Sequence, residues 1–248
     1  MPDLIPGAPA AVAAALDRLK DELTAAAGRN LAGLILYGGL ARGRFRPGKS
    51  DINVIVLLHD ASAGALAAIA PALRTARRAA GVDPLLLTPA EVARAADAFP
   101  TKFLDIKHHH IVLAGTDPFA GLEVSRERIR LRVEQELHNL LLRLRHGYIA
   151  LGTDAVMLTQ AMARVARPLA LGLQALLQLA GKAAPDRSAD IFEAAVAAFG
   201  LEREPLARLA ELRQNMQPTG DVAALYQGVL AAVARAADTA DQMKEPRP

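Results

Sequence analysis

At 248 residues, with 52% hydrophobic side chains, the chain is long enough to bury the core of one large domain or two small ones. Its 29 basic and 26 acidic side chains leave a formal charge of +3, so there is no clear nucleic-acid signal, and the lack of cysteine excludes disulfides, thiolate metal sites and cysteine nucleophiles together. The longest uncharged run, Pro168 to Gly181, is too short for a membrane span and holds two glutamines, and Asp3 before the alanine-rich run from Ala8 is the wrong layout for a secretory signal. A soluble, cytoplasmic protein is expected. Aromatic residues make up only 4%, which favours helices packed through small side chains.

In chain order, Val12, Leu16, Leu19 and Leu23 recur at helical spacing and predict a first helix from Pro9 to about Ala27, ended by Gly28 and Asn30. Leu34 to Tyr37 is short, apolar and bulky enough for a buried strand. Gly38 and Gly39 follow, then a basic loop with Arg42, Arg44, Arg46 and Lys49, then a second strand opening at Ser50 and Asp51 and running to Leu58. Ala61 to Ala80 reads as a helix disturbed at Pro71 and stopped by Gly81, and Val82 to Leu87 as a third strand with Asp83 at its start. Thr88, Pro89 and Glu91 form a capping-box start for a helix to Ala98, broken by Pro100. Thr101 to His110 fits strand or helix, and Ile111 to Gly115 is a last short strand.

Beyond Ser125 the pattern changes. Ile129, Val133, Leu137, Leu140, Leu144 and Tyr148 form one long amphipathic stripe. Further helices are predicted over 154–179, 189–199, 204–214 and 222–243, with no returning strand pattern. The expected class is therefore α+β: a small mixed-sheet domain over 1–121, an all-α helical bundle over 125–243, and a frayed tail over 244–248.

The chemistry concentrates between Gly38 and Asn53. Paired glycines let a ligand approach the backbone, and strand alternation puts Asp51 and Asn53 on one face with Ile52 on the other. Two oxygen-bearing side chains beside a glycine turn suit a hard cation that also binds phosphate. This stretch resembles the signature of the nucleotidyltransferase superfamily, which includes DNA polymerase beta and the aminoglycoside nucleotidyltransferases: a glycine pair after a strand, then an acid, an apolar residue and a second acid. Asn53 stands where the resemblance expects that second acid. The segment Thr101 to Leu122 also looks like the stretch after the catalytic core in bacterial members.

The resemblance implies a nucleoside triphosphate with Mg²⁺ or Mn²⁺ near Gly38, Gly39, Arg42, Lys49 and Ser50. Asp51 and Asn53 would be the metal ligands, and a third acid, Asp83 or Asp105, the remaining catalytic group. Asn53 brings no charge, and Lys102 lies near where related sequences carry a glutamate, so a catalytically impaired nucleotide-binding or protein-interaction module is the alternative. Nothing names the acceptor; a small molecule is favoured, and a homodimer is left open. Consecutive histidines diverge, which argues against His108, His109 and His110 sharing one ion. Arg126, Arg128, Arg130 and Arg132 are expected to be solvated, with Glu134 and Glu136 as partners or as acceptor-positioning acids.

Overall fold

Alternation along the apolar runs dictates a sheet buried on both faces, and the computed structural model shows one; the structure describes residues 5, 8–48, 50–212, 216–218 and 220–243. The chain divides into two compact units, Met1–Val124 and Ser125–Pro248.

The first unit carries a four-stranded mixed sheet of β1 (Leu31–Tyr37), β2 (Ile52–Leu58), β3 (Val82–Leu87) and β4 (His110–Gly115), in the order β3-β2-β1-β4. β1 runs antiparallel to β2 and β4, while β2 and β3 are parallel and joined through α2 (Ala63–Ala80). Leu34, Leu36, Val54 and Val56 point to one face and pack with Leu16, Leu19 and Leu23 of α1 (Ala10–Ala27) and Ile69 of α2. Ile35, Tyr37, Ile55 and Leu57 point to the other, against Val92 of α3 (Pro89–Ala98) and Phe103 and Ile106 of α4 (Pro100–His108). Each fully buried leucine or isoleucine in these layers contributes about 1.5–3 kcal/mol.

Two local expectations need correction, and one open alternative is settled. β2 begins at Ile52 rather than Ser50, because Ser50 is turned back to close the preceding loop: Arg46 N–H donates to Ser50 Oγ at 3.1 Å and Ser50 N–H to Arg46 O at 3.0 Å. Pro71 sits inside an unbroken α2; it lies on the exposed side, where water can take the carbonyl that proline leaves without a donor. The segment that fitted strand or helix is α4, and Pro100 opens it at the first helical position, where no N–H is required.

The capping box at α3 holds as expected. Glu91 Oε2 accepts from Thr88 N–H at 2.8 Å and from Thr88 Oγ1 at 3.0 Å, and these bonds hold the Glu91 carboxyl below the usual glutamate range. A depressed carboxylate stabilises the folded state above its unfolded pKa, and the contribution is lost as pH falls through the folded value. The protection of the Thr88 and Glu91 amides against exchange is therefore expected to fall in acid ahead of that of the sheet amides, and Glu91→Ala, which removes the accepting carboxylate, should abolish that early loss.

The second unit consists of α5 (Arg126–Leu151), α6 (Ala155–Leu179), α7 (Ser188–Phe199), α8 (Arg203–Leu212) and α9 (Val222–Gln242) among the described residues. α5 packs on α6 and α9, and α6 also meets α7 and α8. Leu137, Leu144, Met162, Leu169, Leu173 and Val233 are buried in it, and Tyr226 donates its buried hydroxyl to Leu144 O at 2.8 Å. The expected end of α8 at Gln214 and the tail over 244–248 lie outside the described residues.

Arg130 departs from the solvated reading of the arginine run. Only 3% exposed, it makes a two-pronged pair with Glu127 at 2.7 and 2.8 Å, a second pair with Glu134 at 2.6 Å, and reaches Ala240 O of α9 at 3.5 Å. Its position on the packed side of α5, one residue after Ile129, forces the charge inward, and the two glutamates make burial tolerable. Glu136 likewise pairs with Arg132 at 2.7 Å, so both acids are bound within their own helix. No helix of the described residues is long and apolar enough to cross a membrane.

Candidate active site

The register of the sheet assembles one row of side chains at its end. Tyr37 of β1 pairs with Asn53 of β2, Asn53 pairs with Asp83 of β3, and Tyr37 pairs on its other side with His110 of β4. Cross-strand partners share a face, and neighbouring strands lie about 4.8 Å apart, so His110, Tyr37, Asn53 and Asp83 form a continuous polar edge on the α3 and α4 side. Asn53 is half-buried, Asp83 exposed and Tyr37 buried. Burial first, and the Asp83 carboxylate second, push the Tyr37 phenol up.

The glycine turn lies directly against this row. Gly38 has φ +77°, in the left-handed region, and a Cβ placed on it would stand 3.0 Å from Asn53 Nδ2. The turn is closed by backbone bonds from Arg42 N–H to Gly38 O at 3.2 Å and from Arg44 N–H to Gly39 O at 2.7 Å. Gly38→Ala is accordingly expected to displace the Asn53 amide at a stability loss of only about 1–2 kcal/mol, which thermal melting would check.

Asp51 is exposed, one residue before β2, and makes no hydrogen bond or ion pair among the described residues. Ser50 is committed to Arg46. Arg42 and Asp105, expected to serve separately as a phosphate and a metal group, are instead each other's partners: Arg42 Nη2 pairs with Asp105 Oδ1, and His109 Nδ1 stands 3.5 Å from that same oxygen. A carboxylate so engaged is a poorer metal ligand than Asp83, which lies in the row beside Asn53. Lys49 lies outside the described residues.

His110 turns Nδ1 to Ile106 O at 2.9 Å and Nε2 to Asp117 at 3.1 Å, while His108 and His109 meet edge to face. His108 ends α4, His109 follows it and His110 opens β4, so the three rings belong to different elements rather than to one strand. Among the described residues no group of three or more His, Cys, Asp or Glu could wrap a metal ion. The register brings Asn53 and Asp83 together, with Asp51 two residues before Asn53 and outside the strand; all three offer oxygen donors only, the chemistry that suits Mg²⁺ or Mn²⁺ when water and phosphate oxygens complete the shell.

From sequence, Tyr37 is only a strand residue and Lys102 only a departure from the pattern of the resemblance; the fold brings the two together. Lys102 Nζ lies 5.5 Å from the centroid of the Tyr37 ring. The available signal was helical spacing: on α4, Lys102 and Asp105 are one turn apart, flanking the buried Phe103 and Ile106.

No protein-family model and no curated protein matches the sequence. Among solved structures, the chain is similar to spectinomycin adenyltransferase AAD(9) from Enterococcus faecialis, determined with ATP and spectinomycin; the TM-score is 0.53 at 12% identity, covering 90% of this chain and 99% of that one. The two share a fold, and the likeness extends over both units.

Proposed function

We propose that the chain is a nucleotidyltransferase: it binds a nucleoside triphosphate over the Gly38–Gly39 turn and transfers the nucleoside monophosphate to a hydroxyl of a small-molecule acceptor. The observation that carries this reading is the register row Tyr37, Asn53, Asp83 set against a left-handed Gly38. The fold shared with an adenyltransferase determined with ATP and spectinomycin supports it.

In this reading, Asp51, Asn53 and Asp83 would hold one divalent cation, which when bound offsets phosphate charge. Backbone at the glycine turn lets the phosphates approach without a side chain between. Asp83 holds the proton released by the acceptor hydroxyl as its oxygen attacks the α-phosphorus; the bond to the β-phosphate breaks and pyrophosphate leaves. Residues 1–121 are assigned to nucleotide handling and 125–243 to acceptor choice.

Incubation of the full chain with α-labelled triphosphates, Mg²⁺ or Mn²⁺ and a panel of hydroxylated acceptors tests the proposal. Label transfer with release of pyrophosphate is the expected result. Absence of both transfer and triphosphate binding would sink it. Binding without transfer would favour the second reading, a nucleotide-binding module, to which the uncharged Asn53 and the lack of a three-acid cluster among the described residues point.

A further inference from the structure

The polar row carries an amide where a second carboxylate would complete an acid pair, and a cation reaches the same end of the sheet. Lys102 Nζ stands 5.5 Å from the Tyr37 ring centroid, and Tyr37 is the register partner of Asn53, itself the partner of Asp83. The helix that delivers the lysine is fixed to the glycine turn: one turn on, Asp105 pairs with Arg42, whose amide donates to Gly38 O. One side of α4 thus reaches both the turn and the row. Phe103 and Ile106, buried beneath, hold α4 against the sheet and set where the lysine side chain leaves it.

Setting aside the Arg42–Asp105 pair, whose charges cancel, and Asp117, which is engaged by His110, Asp51 and Asp83 bring two negatives, Asn53 none and Lys102 one positive. Two carboxylates can hold one divalent ion, but a second ion would sit among too few anions and close to an ammonium. A triphosphate needs more positive charge than one divalent ion supplies, and an ammonium on a flexible stem is a well-suited point charge for phosphate. Lys102 is exposed, so its ammonium can swing from the Tyr37 ring to a ligand without leaving a buried charge unpaired.

We propose that Lys102 supplies, as a fixed part of the protein, the positive charge that a second divalent cation supplies in a two-metal site, so that the triphosphate is held by one divalent ion and one ammonium. This rests on the nucleotide-binding reading above. The Tyr37 ring is the resting place of the ammonium, and Asn53 is the matching change: with no charge of its own, it draws in no second ion.

The test is calorimetric binding of a non-hydrolysable adenosine triphosphate analogue to the full-length protein, in EDTA and across a Mg²⁺ titration. The wild type should bind measurably in EDTA and show a Mg²⁺ dependence with a slope near one ion. Lys102→Met, which keeps an apolar stem over Tyr37, should weaken binding in EDTA by about tenfold or more, and Lys102→Arg should restore most of it. The double variant Asn53→Asp with Lys102→Glu should lose binding in EDTA and acquire a steeper, two-ion Mg²⁺ dependence. If the wild type binds the analogue and Lys102→Met changes neither the EDTA affinity nor the Mg²⁺ slope, the lysine is only a cover for Tyr37 and the inference is overturned. If the wild type binds neither this analogue nor its guanosine, cytidine and uridine counterparts under any condition, the nucleotide reading itself has failed and takes this inference with it.

Discussion

Asp51→Ala is expected to lower nucleotidyl transfer by about a hundredfold to ten-thousandfold while leaving the melting temperature almost unchanged. The two halves of this result have separate causes. Asp51 is exposed, precedes β2, and has no hydrogen-bond or ion-pair partner among the described residues, so its removal breaks no folded-state contact; such surface changes usually stay within about 0.5 kcal/mol. In the proposed reaction, however, it is one of only two carboxylates in the donor set beside the glycine turn. Charge stabilisation by a bound metal amounts to several kcal/mol of a transition state, and each ~1.4 kcal/mol is tenfold in rate. Steady-state transfer rates and a thermal melt on the same preparation check both halves. Transfer at the wild-type rate would remove Asp51 from the chemistry; a large fall in melting temperature would mean that its part is structural.

An unpaired, exposed carboxylate is an informative contrast with Arg130. Both are charged residues singled out by sequence, yet Arg130 is buried against Glu127 and Glu134, and its charge ties α5 to the end of α9. That charge is fully used by folding. Asp51 has no such partner among the described residues, which leaves its carboxylate available for the proposed reaction.

Local features of this site were legible in the sequence, and pairings across the fold were not. The glycine turn, the acid after it and the start of β3 are short-range patterns, and alternation alone places Asn53 on the face opposite Ile52. Parallel pairing of β2 with β3 then brings Asp83 beside Asn53, as the order strand, helix, strand leads one to expect. By contrast, the Arg42–Asp105 pair and the approach of Lys102 to Tyr37 join segments that only the packed unit brings together, and no periodicity reports them. The start of β1 was hidden for a different reason. Leu31, Ala32 and Gly33 lack the bulky pattern of a strand, and Gly33 is held there by close approach: a Cβ on it would stand 3.3 Å from Ala114 O.

Gly115→Ala is expected to cost more stability than any other single substitution considered, unfolding the first unit or lowering its melting temperature by well over ten degrees. Gly115 ends β4, where it pairs with Gly33 of β1 at φ +78°. An added Cβ would overlap Ala32 O and come within 2.7 Å of Gly33 Cα, and both are backbone atoms in the sheet that cannot swing aside. The left-handed conformation alone costs a non-glycine residue about 1–2 kcal/mol, and overpacking adds about 1–3 kcal/mol more. That sum is a large share of the 5–15 kcal/mol that typically separates folded from unfolded domains. The comparison with Gly38→Ala makes the measurement discriminating. At Gly38 the nearest atom is the end of the Asn53 side chain, which can move, so the fold should survive while the site suffers. At Gly115 the obstacle is the β1 backbone, so circular dichroism should show the loss before any ligand is added. Should Gly115→Ala melt like the wild type, the β1–β4 register would have to be different, and with it the placement of His110 beside Tyr37 in the polar row.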